Sequence, residues 1–300
     1  MRAVWRSVAK RFDALACERR DRGDLRAAVR LHRVAVRVAA AGIAPGDARL
    51  VPFLNNFGVA CKFTGRFDEG EAVYRRALAL VEAAPIPDLR LLVALLHNLA
   101  GLEHAKGAPE AGEPHARRGL ALRERLVGPG HPDVAADLAA LAAIIDAQGR
   151  FGEAEVMYRR ALAILERAIE PRPLDVAVAL NNLAAIAQRQ GRPAAAEEDY
   201  RRSLTLKEAA LGRDHPELAA TLNNLGLLLR RAGRLAEAEA TYRRALALVE
   251  PTLGTDHPTV RTCRENLNRL LEETVARRLA VDVGGHGLVT RLPRIPCRRP

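Results

Sequence analysis

The sequence predicts an all-α fold, an α-solenoid of antiparallel helix pairs stacked side by side, and two observations carry that prediction. The first is a period: Gly23, Gly65, Gly107, Gly149, Gly191 and Gly233 stand 42 residues apart without exception. The second is the pattern kept around each glycine. Eight residues before it stands an apolar residue (Leu15, Phe57, Leu99, Leu141, Leu183, Leu225), followed at once by a small one (Ala16, Gly58, Ala100, Ala142, Ala184, Gly226). Five residues after it comes another small residue (Ala28, Gly70, Gly112, Ala154, Ala196, Ala238). A fixed period of this length marks units that cannot bury an apolar face alone and must stack to do so.

The copy at residues 215–253 shows how each element arises. Leu218, Leu222, Leu225 and Leu229 fall at helical spacing and line one face of a first helix. Gly233 ends that helix, because glycine accepts the left-handed conformation of a C-terminal cap. A second helix opens near Leu235 and turns Ala238, Tyr242, Ala245, Leu246 and Val249 inward. Gly226 and Ala238 lack bulk where the two helices cross, so the backbones approach closely. The period places six such pairs at about 5–44, 46–86, 88–128, 131–170, 173–212 and 215–254, and a single capping helix at 257–278. Residues 279–300 hold glycines, prolines and arginines without a helical period and read as a disordered basic tail. Copy three departs from the pattern. Pro109, Gly112, Pro114 and Gly119 stand where its second helix belongs, so that helix is expected to start late, with Pro114 in its first turn, and to be the weakest joint.

Composition bounds the function. The net charge of +11 invites a nucleic-acid reading, but residues 1–33 carry +6 and 276–300 carry +5, while the body between balances 31 basic against 31 acidic side chains. The excess therefore belongs to the ends, which disfavours nucleic acid as the main ligand. Cys17, Cys61, Cys263 and Cys297 fit neither a disulfide framework nor a zinc site. No apolar stretch reads as a signal peptide or a membrane span, and a cytoplasmic location is expected. No phosphate-binding loop, nucleophile elbow or dinucleotide fingerprint appears, and no carboxylate pair is marked out for acid–base work. No enzyme activity, cofactor or metal is expected.

The segment LNNLGLLLRRAGRLAEAEATYRRALAL at residues 222–248 resembles a tetratricopeptide repeat. The long period and the turns GPGHP (128–132), GRDHP (212–216) and GTDHP (254–258) are similar to the variant found in kinesin light chains. The resemblance spans residues 5 to 275 and implies a right-handed superhelix whose first helices line a concave groove. It implies a peptide- or protein-binding scaffold.

On that reading, the first-helix residues opposite the core are the candidate site. Asparagine recurs there at Asn55 and Asn56, Asn98, Asn181 and Asn182, Asn223 and Asn224, and Asn266. A carboxamide donates and accepts, so a ladder of them suits the backbone of an extended peptide. Alternatively, one asparagine of each pair bonds the neighbouring repeat and sets the stacking. The wall also presents Lys62, Gln188, Arg189, Leu227, Arg230 and Arg231, which points to an acidic partner peptide in the Arg189–Arg231 half. Copy four breaks the ladder with Ala136, Ala139, Ala140, Ala143, Asp146 and Ala147, a smooth patch where a ligand side chain could lie. The arginine pairs of the second helices (Arg75/Arg76 to Arg243/Arg244) follow a glutamate by four residues in most copies, which reads as helix support. His131, His215 and His257 sit in equivalent turns one or two repeats apart and are not expected to share a metal.

Overall fold

The computed structural model describes residues 2–44, 46–255 and 257–285. Among these it holds thirteen α-helices and no strand, the number that six pairs and a capping helix require. The chain divides into two compact units, Met1–Gln190 and Gly191–Pro300.

The first unit contains α1 (Arg2–Asp21), α2 (Leu25–Gly42), α3 (Val51–Phe63), α4 (Phe67–Glu82), α5 (Leu89–Lys106), α6 (Pro109–Val127), α7 (Pro132–Ala147), α8 (Phe151–Glu166) and α9 (Pro173–Arg189). From α1 to α8 each first helix packs on its own second helix, each second helix packs on the first helix that follows it, and α3, α5, α7 and α9 also touch one another in sequence. The core follows the expected apolar stripe. Phe53, Leu54, Phe57, Tyr74, Leu95, Leu96 and Leu99 fill one cluster, and Leu141, Ile144, Ile145, Tyr158 and Leu183 fill another. The second unit contains α10 (Pro193–Leu211), α11 (Leu218–Arg231), α12 (Leu235–Leu253) and α13 (Pro258–Gly285). Its core joins Leu218, Leu222, Ala245, Val249, Val260 and Cys263.

The second helices open at Leu25, Phe67, Pro109, Phe151, Pro193 and Leu235, one period apart throughout. All six periodic glycines have positive φ. At Gly149 the reason is visible: its N–H bonds the Asp146 carbonyl at 2.9 Å and the next N–H, of Arg150, reaches back to Ile145 at 3.2 Å. That closes the α7 C-terminus with a residue in the left-handed region (φ 79°), where a Cβ is penalised.

Copy three corrects the expectation. Helix α6 begins at Pro109, not late at Pro114, and Pro114 lies inside it. Proline at the first helical position has no N–H to lose there. The glycines have a packing role in this copy. A Cβ on Gly112 would stand 2.9 Å from the Ala100 carbonyl oxygen, and one on Gly119 would stand 3.4 Å from Leu96 Cβ, so both let α6 press directly on α5. At the other end α13 runs on to Gly285, past the expected end at 278. The remainder of the basic tail, 286–300 with Cys297, lies outside the described residues.

Candidate functional site

Aligning the copies by their period places the groove asparagines in two columns. One runs Asp13, Asn55, His97, Ala139, Asn181, Asn223, and the next runs Ala14, Asn56, Asn98, Ala140, Asn182, Asn224, Asn266. The structure connects the columns diagonally. In the first unit Asn56 Nδ2 donates to Asp13 Oδ2 and Asn98 Nδ2 donates to Asn55 Oδ1, each at 2.8 Å. In the second unit Asn266 Nδ2 donates to Asn223 Oδ1, also at 2.8 Å. These asparagines are therefore rungs between successive first helices. Each rung uses one donor and one acceptor of amides that hold more of both. Asn181, Gln188 and Asn224 are half-buried and partnered, and Asn182 is half-buried.

At copy four two rungs have no second half: alanine stands at 140 where His97 needs a donor, and at 139 where Asn182 needs an acceptor. His97 turns to Asp137 of α7, with Nδ1 at 2.7 Å from Oδ1. Arg123 of α6 donates Nε to the other carboxylate oxygen at 2.8 Å. Burial pushes the Asp137 carboxyl up, but the hydrogen bonds from His97 and Arg123 outweigh it and hold the pKa below its ordinary value. The space left by the missing rungs is a pocket of about 310 Å³. Ala136, Ala139 and Ala140 floor it, Ala161 and Leu165 of α8 back it, and His97, Asp175 and Val178 stand at its edge. Val178 is 48% exposed.

Of the four charged wall residues, Arg189 and Arg230 have a carboxylate partner within their own unit. Lys62 is half-buried, burial lowers its pKa, and its ammonium lies against Gly101 of α5. Arg189 donates to Asp146 and lies over the Phe151 ring at 5.5 Å. In the second unit Arg230 stands 3.7 Å from Glu273 and Leu227 is half-buried. Arg231 is exposed and has no carboxylate partner among the described residues.

Two other sequence features resolve into structure. All five i,i+4 pairs form on the second helices: Arg75–Glu71 (2.6 Å), Arg117–Glu113 and Arg159–Glu155 (2.7 Å), Arg201–Glu197 and Arg243–Glu239 (2.5 Å). The turn histidines make the same bond, which at His131 is the N-cap of α7. The Nδ1 atoms of His131, His215 and His257 accept the N–H of Asp133, Glu217 and Thr259 at 3.1, 3.3 and 3.2 Å. Among the described residues no three His, Cys, Asp or Glu gather as metal ligands, and no described helix is long and apolar enough to cross a membrane.

The sequence reading missed His97, Asp137 and Arg123. His97 was legible as the odd member of the asparagine column. Asp137 sits on the buried face, where only its mismatch with Leu95 and Ala179 in register could have signalled it.

The model of the tetratricopeptide repeat family matches residues 91–167, 175–250 and 218–277, and a second model of that family matches 51–80. No curated protein sequence matches the chain. Among solved structures, BtubC (BKLC) from P. vanneervenii is 23% identical with a TM-score of 0.60, covering 83% of this chain and 94% of its own. The putative kinesin light chain repeats of Podosopora anserina are 19% identical with a TM-score of 0.56, covering 69% of this chain and 97% of their own. The apo form of RapI is 12% identical with a TM-score of 0.60, covering 90% and 97%. At these identities the solved structures speak for the fold alone. The family models, the periodic helix pairs and the glycine-capped turns agree, and the chain belongs to the tetratricopeptide repeat family.

Proposed function

We propose that this protein-interaction scaffold is a non-enzymatic adaptor that grips a partner peptide on its first-helix surface, anchoring one apolar side chain in the alanine pocket of the first unit. The pocket carries the reading. It occupies the stretch where the asparagine rungs fail, and it is apolar within an otherwise hydrogen-bonded surface. A pocket of this size, apolar with a few polar groups at its edge, suits a ligand anchor. Burying one aliphatic or aromatic side chain there supplies about 1.5–3 kcal/mol, roughly ten- to a hundredfold in affinity. The His97–Asp137–Arg123 network holds one wall in place. The spare amide groups of the rungs serve the peptide backbone. In the second unit Arg231, which lacks a carboxylate partner among the described residues, favours an acidic residue on the partner.

The test is selection of binders from a random peptide display library. Enriched peptides should share one apolar position. The Ala139→Leu/Ala140→Leu variant, which fills the pocket with good helix formers, should weaken them by about tenfold or more without loss of helicity. Undiminished binding by that variant would remove the pocket from the function. Arg231→Glu should select against acidic peptides, and an unchanged charge preference would sink the acidic reading.

A further inference from the structure

The glutamate–arginine pairing of the second helices fails in the first copy, and a second cavity lies where it fails. In copies two to six a glutamate stands four residues before the first arginine of the pair; in copy one that position is Val29, ahead of Arg33. A cavity of about 340 Å³ opens between α2 and the α3–α4 turn, lined by Arg26, Val29, Arg30, Arg33, Thr64 and Arg66.

The equivalent place two copies later shows what is different. There Arg117 and Arg150 are shared between two carboxylates, Glu113 and Glu153, and the group is neutral. Here Arg33 and Arg66 share only Glu69, at 2.8 and 2.6 Å. Arg26 and Arg30 are added at exposed positions and have no ion-pair partner among the described residues. Among the described residues, the four guanidiniums that line the cavity thus have one carboxylate, Glu69, in contact with them, an excess of three positive charges. Burial pushes the Glu69 carboxyl up, but Arg66 and Arg33 outweigh it and hold it below its ordinary value, so it stays ionised and fixes the two inner guanidiniums. Arg33 is steadied further over the Phe57 ring at 5.8 Å. Val29 is buried and reaches the cavity wall.

We infer that this cavity binds a phosphate monoester group. Its three acceptor oxygens match several planar guanidinium forks better than any single carboxylate does. Val29 offers an apolar contact to the carbon stem of the ester. A long polyanion fits less well, because the second-helix surface of the next copy is neutralised: Lys106 is paired with Asp68 and Glu71, and Arg75 with Glu71. Nucleic acid needs basic charge that continues along its backbone.

The experiment is calorimetric titration of the full chain with four probes at fixed ionic strength. They are a Gly/Ser peptide carrying one phosphoserine, the same peptide unphosphorylated, inorganic phosphate and a short DNA duplex. The phosphopeptide should bind about tenfold or more tightly than its unphosphorylated form, and inorganic phosphate should displace it where chloride does not. Arg26→Ala/Arg30→Ala should lose about tenfold or more of that affinity while its circular dichroism is unchanged, and Arg76→Ala, a charge loss outside the cavity, should lose little. Free phosphate that matches the phosphopeptide would assign the site to a small free anion of the same chemistry. Equal binding by the double variant, displacement by chloride, or tighter and steeply salt-dependent binding of the duplex would each overturn the inference.

Discussion

Two junctions in this chain hold a cation in the same register, one half-buried and one buried, one in each unit, and they do it on opposite terms. Stepping by two periods takes Arg123 to Lys207 and Asp137 to Thr221. In the first unit Arg123 of α6 meets the carboxylate of Asp137, which also takes His97. In the second unit Lys207 of α10, 8% exposed, has the Thr221 hydroxyl at 3.0 Å and the Glu217 carbonyl at 3.4 Å. The intervening register holds Leu165 and Ala179, which line the alanine pocket. A charge pair, a pocket and a lone ammonium thus occupy one structural position in three consecutive copies. The repeat dictates that a second helix must pack on the next first helix. It leaves open what fills the contact.

The comparison breaks most sharply at Asp137. Asp137→Ala leaves Arg123 and His97 without their shared acceptor and should destabilise the protein by about 3 kcal/mol, read by denaturant unfolding. The sign with pH follows from the lowered carboxyl. Its folded pKa lies below 3.8, so the stabilisation is full above that value and is lost as pH falls through the folded one. The gap between wild type and Asp137→Asn should therefore narrow only below pH 3.8. A gap that closes already at pH 6 would show that the Asp137 carboxylate does not carry the junction.

At Lys207 the sign is reversed. Burial lowers its pKa, so the folded state disfavours the charged form. That penalty is full at pH values below the depressed pKa and is relieved as pH rises through it toward 10.5. Lys207→Met keeps the length of the side chain and removes the charge, and should stabilise the protein by about 1 kcal/mol near pH 7. The advantage should shrink in alkaline solution. A destabilised Met variant at pH 7 would show that the Thr221 and Glu217 contacts outweigh the desolvation.

These junctions also show where sequence reasoning reaches its limit. What recurs was legible: the glycine caps, the apolar stripe, the small crossing residues and the Glu–Arg pairs are each written six or five times over. What occurs once was not. The start of α6 depended on Pro109 being tolerated at the first helical position, a property of that site and not of the residue type. The asparagine columns were plain, but the bond from Asn98 to Asn55 joins residues a full copy and one position apart, and only the stagger of the stacked helices brings them together. The alanines of copy four were read as a smooth patch. That they are a pocket depends on His97 turning away to Asp137, a residue whose type did not fit its buried face.

The smallest effect decides whether Lys207 and Thr221 act as a unit. Thr221 is fully buried, and its hydroxyl accepts from the ammonium. Thr221→Val alone keeps the shape and removes that acceptor, leaving the ammonium with the longer contact to Glu217. It should cost about 1 kcal/mol, the net worth of one hydrogen bond. In the Lys207→Met background the hydroxyl has no cation to receive, and the same substitution should cost nearly nothing or stabilise, since an unpaired buried hydroxyl is itself unfavourable. The double-mutant cycle measures the difference. A coupling near 1 kcal/mol makes the pair a weaker counterpart of Arg123–Asp137. Additive effects would mean that Thr221 finds another partner and that the second unit holds its buried cation by packing of the lysine stem alone.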